Sequence, residues 1–140
     1  MTPNFRIHQL LEQQLPNRAE QVAIADDVGT WTYGSLWSDV HALAQYMRAE
    51  GVRAGDRVLV IGESSAAQLA VVFACSVLDA WAVVTNARLT ASELANIESH
   101  CGARMVIATS AASDDAQRHA LARGASQVCF GSLSLHATRA

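Results

Sequence analysis

The residues able to do chemistry in this 140-residue chain are scattered, and their spacing argues against most sites. His8, His41, His100, His119 and His136 fall one per segment, with no i, i+4 pair and no H-E-x-x-H, so each reads as a surface or boundary histidine rather than a metal ligand. Cys75, Cys101 and Cys129 are odd in number, far apart and in no C-x-x-C spacing. They support neither a disulfide framework nor a zinc site, and they suit a reducing, cytoplasmic setting. Cys75 lies in an apolar helical stretch and reads as an inert small hydrophobe. The adjacent acids Asp26-Asp27 and Asp114-Asp115 have diverging side chains, which suits a turn and a helix start better than paired carboxylate catalysis. No catalytic residue and no metal ligand is assigned on these grounds.

Two stretches remain. Gly62-Glu63-Ser64-Ser65 sits between a predicted strand and a predicted helix, where helix N-termini bind anions. It has neither G-x-G-x-x-G nor a G-K-[ST] ending, and a serine cap on the helix accounts for it. Arg88 stands in a loop after a strand and just before a capped helix, where a guanidinium could meet a phosphate or the entrance of an acyl pocket. A surface arginine bonding neighbouring carbonyls would occupy the same place, and position alone does not separate the two. All ten basic residues are arginines. The absence of lysine removes Schiff-base chemistry, a P-loop lysine and lysine-assisted acyl activation from this chain taken alone.

The elements that must position these residues centre on Asp56 to Leu94. Val58 to Ile61 and Trp81 to Val84 are β-prone apolar runs, separated by a helical pattern whose Leu69, Val72, Phe73 and Val77 are expected to face the sheet. Strand, helix and strand then form a parallel pair with a right-handed crossover. A membrane span over Ala66 to Thr85 is the competing reading. Gln68, Asp79 and the lack of flanking basic residues argue against it.

Around this unit, residues 4–15 are expected to form one amphipathic helix stopped by Pro16, and Val22 to Asp26 with Thr30 to Tyr33 a hairpin about Asp27-Val28-Gly29. Thr32 can cap a helix over 34–50 that turns Leu36, Val40, Leu43, Ala44 and Met47 to one side, with Gly51 closing it. Thr90 and Glu93 form a capping box, and Leu89 with Leu94 a hydrophobic staple, for a helix ending near His100. Met105 to Ala108 is the third parallel strand, Ser113 opens a helix closed by Gly124, and Gln127 to Phe130 can add a strand. Residues 1–130 thus read as one unit, and 131–140, without periodicity, as an irregular tail. A net charge of −3 leaves no basic footprint for nucleic acid, and the first residues carry no export-signal pattern.

The order of four segments is more telling than any one of them. Thr32-Tyr33-Gly34-Ser35-Leu36, Gly51-Val52-Arg53-Ala54-Gly55-Asp56-Arg57-Val58, Leu78-Asp79-Ala80-Trp81-Ala82-Val83-Val84-Thr85-Asn86-Ala87-Arg88-Leu89-Thr90 and Cys101-Gly102-Ala103-Arg104 resemble the N-terminal part of AMP-forming acyl-CoA synthetases, from about residue 5 to about residue 125. The resemblance implies an α/β fold of parallel-sheet layers with flanking helices, like the flavodoxin- or Rossmann-like N-terminal subdomain of adenylate-forming enzymes, here with an N-terminal helix and a β-hairpin. It implies ATP, Mg²⁺ and coenzyme A for full-length members, and none of them for this chain alone. The family's glycine- and hydroxyl-rich phosphate loop, its ribose-binding aspartate and its catalytic lysine lie in segments that have no match here. Arg88, in Asn86-Ala87-Arg88-Leu89, matches an arginine that in some CoA ligases approaches the coenzyme's phosphate. The final ten residues do not follow the family pattern, which would fit a truncated gene. The expected partners are then the missing remainder of a ligase, or a second copy through exposed apolar surface, with no membrane span. A small flavodoxin-like nucleotide binder is the further alternative.

Overall fold

A computed structural model of the chain describes residues 5–140. Its centre is β3 (Arg57–Gly62), flanked in parallel by β4 (Trp81–Asn86) and β5 (Met105–Ala108), so that Val58 lies beside Ala82 on one side and Met105 on the other. Val58 to Ile61 are completely buried. Alternate side chains of a strand point to opposite faces, and here each face has its own cluster. Val58 and Val60 pack with α3 (Tyr33–Ala49) and α4 (Ala66–Val77), whereas Leu59 and Ile61 pack with α5 (Ala91–Cys101) and α6 (Asp114–Ala122). Each such apolar side chain contributes about 1.5–3 kcal/mol when fully buried.

Local signals set the helix ends. Thr32 and Ser35 form a capping box on α3, and Leu36, Val40, Leu43, Ala44 and Met47 are all buried, as their spacing predicts. Thr90 and Glu93 cap α5, and Gly102 ends it in the left-handed conformation at φ 63°. Ser113 caps α6. The hairpin forms as β1 (Val22–Ala25) and β2 (Thr30–Thr32), apart from the main sheet.

Three expectations are corrected. The first helix is two short ones, α1 (His8–Glu12) and α2 (Leu15–Arg18), while Asn4, where it was to begin, lies outside the described residues. Pro16 opens α2 instead of stopping the pattern, because a proline in a first turn forfeits no helical hydrogen bond. The buried face of α4 is formed by Ala67, Ala70, Val71, Ala74 and Cys75; of the four residues expected there, Phe73 and Val77 are half-buried against the same core, whereas Leu69 is 37% exposed. That helix is apolar nearly all round, so periodicity offers two faces, and the small-residue face lets it come close to α3 and the sheet.

The third correction concerns the expected irregular tail. Residues 133–139 form β7 (Leu133–Arg139), which lies inside the sheet between β5 and β6 (Ser126–Phe130), antiparallel to both. The order is β4-β3-β5-β7-β6. Leu133, Leu135 and Ala137 alternate inward, a pattern too short to read before its two neighbours are known. A buried carboxylate from α3 fixes the turn before it. Asp39 Oδ2 accepts from Trp31 Nε1 at 3.0 Å and from Ser132 N at 3.2 Å, and a Cβ on Gly131 would overlap that carboxylate. No described helix is long and apolar enough to cross a membrane.

At the end of β3 a Cβ on Gly62 would overlap the Thr109 hydroxyl. Gly62→Ala is therefore expected to destabilise the chain by about 1–3 kcal/mol in urea unfolding. Adding Thr109→Ala should return part of the loss, and a Gly62→Ala chain as stable as the parent would contradict the packing described.

Candidate functional site at the carboxyl edge of the sheet

After β3 the chain crosses one face of the sheet to β4, then returns over the other face to β5 on the far side of β3. The crossovers diverge between β3 and β5, and open α/β sheets hold ligands at the carboxyl ends of such strands. Glu63, Ser64 and Ser65 after β3, Asn86 and Arg88 at and after β4, and Thr109 and Ser110 after β5 converge on this edge.

Arg88 faces across it. Its Nε lies 3.3 Å from Glu63 Oε1, with the arginine side chain 75% exposed, and its backbone N–H donates to Asn86 Oδ1 at 2.9 Å. The partner is thus a carboxylate from the neighbouring strand end, not the neighbouring carbonyls that a plain surface role suggested. An exposed pair of this kind is worth about 0–1 kcal/mol, so it orients the guanidinium without locking it. The loop is fixed from beneath by His119 of α6, whose Nε2 donates to the carbonyls of Ala87 and Leu89, each at 3.0 Å. Two carbonyl acceptors place the ring proton on Nε2.

Two of the first N–H groups of α4, those of Ala66 and Gln68, are already engaged. Ser65 accepts from Gln68 N at 3.1 Å, the cap expected of the Gly-Glu-Ser-Ser turn. Asp26, expected from its sequence position to serve a turn, also reaches over from the hairpin. Its Oδ2 accepts from Ala66 N at 2.9 Å, and its Oδ1 from Val28 N at 2.9 Å and Gly29 N at 3.1 Å. Burial works against charge on this carboxyl, but the three backbone donors outweigh it and hold Asp26 below the usual aspartate value.

Two further features escaped the sequence. Ser110 Oγ lies 2.7 Å from His136 Nδ1, joining the end of β5 to β7, and the Thr109 hydroxyl is buried without a partner among the described residues. A separation of 26 residues, with His136 in a segment read as a tail, left no local signal for the pair. Cys75 is as inert as its surroundings suggested, burial pushing its thiol up to about 12.

Comparison with known proteins gives this geometry a family. The AMP-binding enzyme family matches residues 11–137. The chain belongs to that family. A feruloyl-CoA synthase of Amycolatopsis sp is 41% identical over 78 residues, which is 56% of this chain and 16% of the relative. A benzoate CoA ligase of Burkholderia xenovorans LB400 superposes with a TM-score of 0.70 at 27% identity, over 74% of this chain and 21% of that one. The N-terminal domain of FACL13 from Mycobacterium tuberculosis gives 0.68 at 26% identity, over 72% of this chain and 26% of that one. The match therefore covers about a sixth of the curated relative's length. The resemblance to the N-terminal part of AMP-forming acyl-CoA synthetases holds, and so does the expected α/β class, but the match runs to residue 137, past the expected end near 125 and into the final ten residues that were expected to depart from the family.

The family implies ATP, Mg²⁺ and coenzyme A for its full-length members. The residues of this AMP-binding family chain do not fit a magnesium-bound triphosphate. The α4 N-terminus already holds a carboxylate, Asp26, on Ala66 N, Glu63 adds a second negative charge, and the sequence has no lysine to meet a phosphate. Among the described residues no group of three or more His, Cys, Asp and Glu is placed to hold a metal ion.

Asp26 links hairpin to helix more strongly when ionised, since its backbone donors favour the charged form. Because its folded value is depressed, its contribution is present above the unfolded value near 4 and fades as pH falls through the folded one. Asp26→Ala should lose about 1–3 kcal/mol at pH 7. In urea titrations the variant's deficit should shrink below pH 4, and a deficit equal at pH 3 and pH 7 would refute the charged link.

Proposed function

We propose that this chain is the N-terminal scaffold of an AMP-forming acyl-CoA ligase acting on an aryl or fatty carboxylic acid, and that alone it does not form the acyl-adenylate. In the complete reaction the carboxylate attacks the α-phosphorus of ATP and pyrophosphate leaves. The thiol of coenzyme A then takes the acyl group and AMP leaves. The observation that carries the reading is the family match along nearly the whole chain, set against its short coverage of the relatives. The groups that grip the triphosphate then belong to the other five-sixths of the ligase, either joined to this chain or supplied as a separate subunit in the same cytoplasmic compartment.

Arg88 is the residue of this segment that we place near a ligand, as a phosphate contact for coenzyme A. Its support is an exposed guanidinium at the carboxyl edge, on a loop that His119 holds in place. The Glu63 carboxylate is a partner that a phosphate could replace.

Two measurements test this reading. ATP–pyrophosphate exchange across a panel of aryl and fatty acids should stay at background with the 140-residue chain alone, and turnover would overturn it. In an assembled ligase carrying this segment, Arg88→Ala should raise KM for coenzyme A about tenfold, as a lost charged contact of about 1.4 kcal/mol implies. Pyrophosphate exchange should be unchanged, and an unchanged KM would remove Arg88 from the site.

A further inference from the structure

We infer that the groove bordered by α1, α2 and α4 binds a single-chain aliphatic carboxylate, with the carboxylate on Arg18 and the alkyl tail along α4. The inference stands apart from the function proposed above. It concerns what this chain binds by itself, at a place other than the carboxyl edge of the sheet.

Three grooves border α4, and their charges differ. The one of about 450 Å³ beside Val84 carries Asp26. The one of about 400 Å³ beside Trp81 carries Arg6 and Asp79, which pair with each other at 3.1 Å. The third, of about 340 Å³, has Arg18 as its one charged lining residue and holds no carboxylate. Arg18 makes no ion pair among the described residues, whereas six other arginines do. This groove therefore presents an uncompensated positive charge beside apolar walls.

Those walls are Leu10 and Leu11 from α1, Ile24 from β1, Leu36 from α3, and Leu69 and Phe73 from α4. Leu11 and Leu36 are buried, while Leu10 is 52% and Leu69 37% exposed, so the slot has an apolar base and an apolar rim. Its polar groups gather at one end. Arg18 closes α2, and the chain just after it is tied to the start of α3, since Gly34 N donates to Ala19 O at 2.9 Å and Tyr33 N to Gln21 O at 3.0 Å. Tyr33, which also lines the groove, brings a hydroxyl to the same end.

The occupant follows from this chemistry. A guanidinium fork matches a carboxylate through two parallel N–H···O bonds, and a single arginine balances a single negative charge. An arginine stem can lie along apolar surface while its head stays at the wet end, which joins head group and tail in one site. The volume is at the small end of the about 300–1,000 Å³ usual for ligand pockets, which suits one alkyl chain rather than the two of a membrane lipid.

The test measures binding of decanoate to the 140-residue chain by calorimetry, below the micelle-forming concentration, with methyl NMR to locate it. The methyls of Leu10 and Leu69 should shift. Decanol and decyltrimethylammonium, which share the tail, should bind at least about tenfold more weakly, as loss of a charged hydrogen bond implies. Arg18→Gln should weaken decanoate about tenfold, leave decanol unchanged and leave urea unfolding unchanged. Each methylene added from hexanoate to decanoate should tighten binding up to about fourfold. Absence of binding, equal affinity for decanoate and decanol, or shifts centred on Val84 would each overturn the inference. Tighter binding of decyl phosphate than of decanoate overturns it in favour of a phosphate ligand. Failure here leaves the ligase reading intact, since pyrophosphate exchange tests that separately.

Discussion

The constraint on which the rest of this structure depends is a strand with no solvent face. Val58 to Ile61 are buried on both sides, so each face of β3 needs its own cover, and a parallel neighbour can be reached only by crossing one of those faces. The chain meets both demands together. α4 covers one face on the way to β4, and α5 covers the other on the way to β5. The carboxyl ends of three strands are thereby brought to one edge, which is why Glu63, Arg88 and Ser110, far apart in sequence, share a neighbourhood.

What was legible in the sequence was what local chemistry decides. The apolar run of β3, the Thr32 and Thr90 caps and the Gly102 stop each depend on residues within one turn, and each appears where its spacing placed it. Illegible were the features set by distant neighbours. The face of α4 could not be read because that helix is apolar on both sides, and the choice was made by how closely Ala70 and Ala74 allow other elements to approach. β7 could not be read because its strand state rests on β5 and β6, and on Asp39 holding the Gly131-Ser132 turn from 93 residues away. At the edge, Arg88 stood out by position, whereas the Ser110–His136 contact and the His119 support of the Arg88 loop required the fold.

The electrostatics of the edge separate scaffolding from phosphate binding. An unoccupied helix N-terminus attracts anions through its free N–H groups and dipole. In this chain two of those groups are taken up internally, Gln68 N by Ser65 from within the turn and Ala66 N by Asp26 from the hairpin. The arrangement ties a two-stranded hairpin, marginal by itself, to the main body of the fold. It also leaves a negative charge where a phosphate would need a positive one. Position at the carboxyl edge is therefore a weak guide to chemistry, and the donors already engaged there decide the matter.

The composition of α4 carries the same logic outward. A helix that is apolar on every side is at home in an interior, and one that lies on a surface usually shows a polar stripe to water. From Ala66 to Val77 only Gln68 and Ser76 are polar; Gln68 lies in the capped first turn and Ser76 contacts His8. The inner side of the helix is filled by α3 and the sheet, which leaves Leu69 exposed and Val72 half-buried on the outer side, where both line a groove. Together with Val84 of the uncharged β4 edge they line one apolar groove, a surface of the kind that marks an interaction site in a water-exposed fold.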